Sequence, residues 1–87
     1  MLYFKIIVML FGEYLYNARK KNYLSAEELA MSCGISRSYI TLIENNKRAP
    51  GKKIIPKIAA ALQLKTVVVL NWYLEDMSQK IKKSLLQ

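Results

Sequence analysis

Histidine is absent from this 87-residue chain, cysteine occurs once, and glycine only three times. A single cysteine, Cys33, excludes an internal disulfide, and without histidine it excludes any usual zinc site. A free buried thiol suits a reducing cytoplasm. Three scattered glycines leave no glycine-rich phosphate loop. The acidic residues are Glu13, Glu27, Glu28, Glu44, Glu75 and Asp76, most with capping, pairing or surface roles open to them. Nothing here supports an enzyme, and no cofactor is implied. Long apolar runs are missing too. Met1–Phe11 is apolar except for Lys5, but a membrane span needs about 20 such residues. A signal peptide would need positive charge ahead of the run and a small-residue cleavage site after it.

What is present is a basic, apolar-rich chain of one-domain size. Hydrophobic residues make up 53%, enough for a packed fold, and the net charge is +8. That charge is uneven. Residues 1–44 carry a net +1, and residues 45–87 carry +7. A one-sided excess favours a polyanionic partner; the plainer alternative is the solubility of a small lysine-rich protein.

Apolar spacing places the helices. Phe11, Tyr14, Leu15 and Ala18 share one face of a first helix, closed by Arg19, Lys20 and Lys21 at its negative end. Ser25-Ala26-Glu27-Glu28 is a capping box opening a second helix of about two turns, with Ala26, Leu29, Ala30 and Cys33 inward. Gly34 ends it in a left-handed conformation. Ser36 caps a third helix, in which Ile35, Ile40 and Ile43 point to the core and Arg37, Ser38, Thr41 and Leu42 point outward. It ends near Asn45-Asn46, and Asn46 tolerates the left-handed region. A cationic loop over 45–53 follows. The spacing then predicts a fourth helix from about Lys53 to Leu62, with Pro56 in its first turn. Thr66–Leu70 is β-branched and fits a strand on propensity. However, Leu70, Leu74, Met77, Ile81 and Leu85 extend a helical spacing, which predicts one long amphipathic helix over about 66–85.

Two short helices joined by a glycine turn make a helix-turn-helix, whose second helix offers its N-terminal residues to DNA base edges. Arg37 can bond guanine O6 and N7 together, and Ser36 and Ser38 can bond bases or phosphate. Thr41 and Leu42 complete the candidate reading face; an outward Leu42 would pack on a thymine methyl, a fourth-helix neighbour or a partner. Ser25, Tyr39, Asn45, Asn46, Lys47, Arg48, Lys52 and Lys53 are candidates for phosphate contact, which positions without reading sequence. Lys80, Lys82 and Lys83 fit the solvated face of the last helix, and Trp72 and Tyr73 fit core or dimer contacts.

Taken in order, these pieces resemble a known family. They are Leu24-Ser25-Ala26-Glu27-Glu28-Leu29-Ala30, then Gly34-Ile35-Ser36-Arg37-Ser38-Tyr39-Ile40, then Ile43-Glu44-Asn45-Asn46-Lys47-Arg48-Ala49-Pro50, then Ile58-Ala59-Ala60-Ala61-Leu62. Residues 11–64 are similar to the Cro/CI-type (XRE-like) helix-turn-helix domain of phage repressors and small bacterial regulators. The resemblance implies an all-α, five-helix, lambda-repressor-like DNA-binding domain, acting as a homodimer on a two-fold symmetric operator of double-stranded DNA. It also implies that Arg19 and Glu44 form a largely buried structural ion pair. Two positions depart from the family pattern. Ala26 replaces a usual glutamine that meets a phosphate or braces the recognition helix, so that contact is absent. Asn46 replaces a usual glycine.

The ends lie outside that pattern. Residues 1–10 are an apolar extension that either pairs as a strand, extends the first helix, or precedes a translation start at Met9. Residues 65–87 exceed what the family's fifth helix requires. Their apolar stripe either pairs with a second copy or covers the N-terminal segment. The resulting expectation is a cytoplasmic transcriptional regulator, a repressor, with no membrane role. The alternatives are an antitoxin whose terminal segments hold a toxin, and a protein-interaction module that kept the fold.

Overall fold

The computed structural model describes residues 9–86. It has five helices: α1 (Phe11–Lys21), α2 (Ala26–Cys33), α3 (Arg37–Glu44), α4 (Ile55–Ala61) and α5 (Thr66–Leu85), with a 3₁₀ turn at Lys52–Ile54. No strand occurs among the described residues. The expectations for an N-terminal strand or a longer first helix fall on residues 1–8, outside the described residues.

Each helix gives one face to a shared core. Phe11 and Leu15 come from α1, Leu29, Ala30 and Cys33 from α2, and Ile40 and Ile43 from α3; Ile55, Ile58, Ala59, Leu62 and Val69 complete it. Each fully buried leucine or isoleucine contributes about 1.5–3 kcal/mol. Cys33 is buried within this core, and that burial pushes its thiol pKa up.

The helix ends follow from local chemistry. Ser25 Oγ accepts from the Glu28 N–H at 3.0 Å, and Glu28 Oε1 accepts from the Ser25 N–H at 2.9 Å. That bond to the backbone N–H holds the Glu28 carboxyl below the usual carboxylate range. Four helices end on a left-handed residue: Tyr23, Gly34, Asn46 and Gln63. After each, the next N–H bonds back across the last turn, Leu24 to Arg19 O, Ile35 to Ala30 O, Lys47 to Leu42 O and Leu64 to Ala59 O. Leu24, Ile35 and Leu64 then pack against the core. Lys47 is the exception, an exposed cation where the other three ends place an apolar residue.

Helix α4 begins at Ile55, two residues later than the spacing predicts. Pro56 has no N–H to donate, and its ring crowds the turn before it. The chain therefore enters through a tighter turn, with the Ile54 N–H on Gly51 O at 3.0 Å.

The β-branched start of α5 is helical. Val69 is fully buried, and Trp72 and Tyr73 pack against the core. Trp72 stacks on Tyr14 with ring centroids 5.4 Å apart and meets Phe11 edge-on at 6.1 Å. The stripe of Leu70, Leu74, Met77, Ile81 and Leu85 lies on the other side and is exposed.

Candidate nucleic-acid interface

The α2–α3 unit is set by its turn. Gly34 sits at φ 67° with nothing near the position a Cβ would take, so glycine is there for its backbone. Ser36 Oγ then accepts from the Tyr39 N–H at 3.1 Å and opens α3. Ile40 and Ile43 are buried beneath, which fixes the opposite face outward. Arg37, Ser38, Thr41 and Leu42 are all exposed there and line one shallow depression. Thr41 Oγ1 donates to Arg37 O at 3.2 Å, leaving the hydroxyl free only to accept. Leu42 is 41% exposed.

The far end of α3 is locked to α1. Arg19 Nε and Nη2 donate to the two oxygens of Glu44 at 2.6 and 3.0 Å, and Nη1 donates to Leu24 O at 2.8 Å. The side chains are only 10% and 9% exposed. The bond to Glu44, more than the loss of hydration, sets the Arg19 pKa, which is raised. Two residues on, Asn46 stands at φ 58° and its Oδ1 accepts from the Gly12 N–H at 3.0 Å. Gly12 has no room for a side chain. A Cβ there would sit 2.6 Å from Glu44 O and from Asn46 Oδ1, and closer still to Ile43 O.

The basic loop is braced from α3. The Gly51 N–H donates to Tyr39 Oη at 3.1 Å, and the Arg48 guanidinium lies over the Tyr39 ring, 5.1 Å from its centroid. Pro50 is buried. Lys47, Arg48, Lys52 and Lys53 are exposed, and among the described residues none pairs with a carboxylate. Cations beside an outward polar helix face can grip phosphates while that helix meets bases.

The expected site residues therefore divide by what they touch. Arg37, Ser38, Thr41 and Leu42 are gathered on one face, and Ser36 caps the helix at its edge. Lys47, Arg48, Lys52 and Lys53 flank it in the loop. Ser25 is engaged in the capping box of α2, and exposed Asn45 ends α3. Tyr39 Oη and Asn46 Oδ1 already hold backbone N–H groups of this chain.

Two contributors escape the sequence reading. Gly12 is one of three glycines and lies inside a helix, which is itself a signal of close backbone approach. Asp76 is 8% exposed, and its Oδ2 accepts from the Phe11 N–H at 3.2 Å, capping α1 from α5. It falls in step with Val69, Trp72 and Tyr73, so helical spacing groups it with that face.

Residues 15–69 match the family model described as helix-turn-helix. The chain belongs to the helix-turn-helix family. That family consists of DNA-binding transcription regulators, not enzymes. Among curated proteins, this helix-turn-helix chain is similar to the ImmF control region 10 kDa protein of Bacillus phage phi105. They are 34% identical over 53 residues, 61% of this chain and 59% of that protein. The chain thus spans about three fifths of the length of that relative. Two solved structures show the same fold. The P22 c2 repressor in complex with synthetic operator 9T has a TM-score of 0.67 at 25% identity, over 74% of this chain and 97% of that one. The restriction-modification controller protein C.AhdI from Aeromonas hydrophila has a TM-score of 0.65 at 34% identity, over 68% and 89%. The all-α, five-helix architecture is that of lambda-repressor-like domains. No described helix is long and apolar enough to cross a membrane.

Proposed function

We propose that this chain is a cytoplasmic transcriptional repressor. It lays α3 in the DNA major groove and acts as a homodimer on a two-fold symmetric operator. The observation that carries this reading is the outer face of α3. Four side chains able to meet base edges stand together there, held by a buried frame, beside four cations without carboxylate partners. Arg37 reads a base, Ser38, Thr41 and Leu42 complete the reading face, and Lys47 and Arg48 hold phosphates. The P22 c2 repressor, which this chain resembles, is itself complexed with an operator.

The second copy is supported by α5. Val67, Leu70, Leu74, Met77 and Ile81 recur at alternating steps of three and four and remain exposed. That is the spacing of a helix-pairing seam. Pairing there would set two α3 helices on half-sites about 34 Å, or one DNA turn, apart. A toxin partner would use the same stripe.

Selection of bound duplexes from a random pool, followed by titration of the selected site, tests the reading. The selected sites should be palindromic, and the complex should contain two protomers. Arg37→Ala should relax preference at one base pair per half-site, at about 1–3 kcal/mol. Lys47→Ala should weaken all sequences alike and lower the salt slope by about one per half-site. Failure to enrich any sequence at physiological salt would sink the DNA reading in favour of an interaction module. A monomer that pairs only with a different chain would favour the antitoxin.

A further inference from the structure

Tyr23 has no packing reason to be an aromatic residue. It follows α1 at φ 56°, a conformation that suits glycine or asparagine and strains a bulky side chain. It is 93% exposed, the most exposed of the large hydrophobic residues described. The ring therefore pays a conformational cost without burying surface. Observed strain of this kind points to work done outside the fold.

Its neighbours indicate what that work is. Tyr23, Lys20, Ser25, Glu28 and Arg37 line one open depression, where the end of α1 meets the starts of α2 and α3. Arg37 also lines the depression on the outer face of α3, so the two surfaces are continuous. The charges in this corner are already sorted. Arg19 is neutralised by Glu44, and the Glu28 carboxylate is tied to the Ser25 N–H. Lys20 and Arg37 are the cations left without a carboxylate, and Ala26 at the start of α2 offers no polar side chain.

We propose that Tyr23 and Lys20 form a DNA-backbone contact outside the base pairs that α3 faces. The Tyr23 hydroxyl donates to a phosphate oxygen, and Lys20 supplies the countercharge. The seat lies on the Lys20–Tyr23–Arg37 side of the depression, because the bound Glu28 carboxylate repels an anion from the other side. This inference rests on the DNA-binding reading of α3 and adds a residue pair to it.

Tyr23→Asn removes the aromatic ring and keeps a residue at ease in the left-handed conformation, so its thermal midpoint should equal or exceed that of the parent chain. Its affinity for the selected operator should fall roughly tenfold per half-site, the effect of one lost hydrogen bond to a charged group in each protomer. The loss should be the same on every sequence, with the salt slope unchanged because tyrosine is neutral. Tyr23→Phe should lose nearly as much, since the hydroxyl makes the contact. Lys20→Ala should lower the salt slope by about one per half-site. Ethylation interference should show one outer phosphate per half-site whose modification weakens the parent chain more than Tyr23→Asn, and has no effect once Lys20→Ala is combined with Tyr23→Asn. A Tyr23→Asn protein that binds like the parent, or a fall in its thermal midpoint, overturns the proposal and leaves the α3 reading standing. A parent chain that selects no DNA overturns both.

Discussion

Replacing Glu44 with leucine should unfold this domain at markedly lower temperature, and the loss should be largely reversed by also replacing Arg19 with methionine. In Glu44→Leu the Arg19 guanidinium retains one partner, Leu24 O at 2.8 Å, inside a site where its side chain is 10% exposed. A charge left unpaired in such a place costs about 3–5 kcal/mol. Arg19→Met creates the opposite orphan. The Glu44 carboxylate then stands alone at the end of α3, where the helix dipole is already negative, and Leu24 O loses its donor. The loss should again be about 3–5 kcal/mol. The double variant carries neither charge and fills the site with similar volume, so it should lie within about 1–2 kcal/mol of the parent. At this chain length about 1 kcal/mol moves the midpoint by roughly 4–8 °C. Each single variant should therefore melt at least about 12 °C early, and the double variant should recover most of that. Thermal and urea unfolding of the four proteins, followed by circular dichroism, closes the cycle. Additive single losses, or single losses below about 1 kcal/mol, would mean that the pair is solvated and that α3 is held by apolar packing alone.

Three further outcomes follow from the same geometry. Gly12→Ala should destabilise by about 1–3 kcal/mol in urea unfolding, although alanine normally favours a helix, because two of the three oxygens in its way are backbone carbonyls. Asp76→Ala should cost about 1–2 kcal/mol by leaving the Phe11 N–H unpaired, and Asp76→Asn, which still offers an acceptor, should cost less; equal losses would remove the capping role. Glu28→Gln should be less stable than the parent at neutral pH, with the gap closing under acid. A lowered folded pKa gives stability that is full above the ordinary glutamate value and is lost as pH falls through the folded value. Thermal midpoints of both proteins from pH 7 to pH 2 measure this, and a gap independent of pH would contradict it.

Much of the fold could be read from the chain because most of its boundaries are local. Ser25 with Glu28, Gly34, Ser36 and Asn46 each act within a few residues, so their chemistry is visible in the order of the letters. The contacts that could not be read join distant segments. Asp76 meets Phe11 across 65 positions, and Asn46 meets Gly12 across 34. Helix α5 shows another limit. Its spacing reveals two apolar faces, Val69-Trp72-Tyr73 and Leu70-Leu74-Met77-Ile81. Periodicity cannot say which of them faces the domain's own core. The aromatic face does so, because Phe11 and Tyr14 are there to receive Trp72.

The first turn of α1 is where those distant contacts converge. A helix leaves its first N–H groups without internal partners. Here Glu13 takes the Leu10 N–H at 3.1 Å, Asp76 takes that of Phe11, and Asn46 takes that of Gly12. One acceptor is local, one belongs to α5, and one follows α3. Placing Asn46 there requires the end of α3 to approach closer than any side chain at residue 12 would allow. So the same glycine that weakens α1 by propensity lets its positive end meet the negative end of α3. The outward angle of Arg37, Ser38, Thr41 and Leu42 is thus set at both ends of their helix. Ser36 and the glycine turn hold the start, and the Arg19–Glu44 pair with the Gly12–Asn46 bond holds the finish. Neither anchor uses a side chain from the outer face, which leaves that face free to vary in sequence while the frame beneath it stays the same.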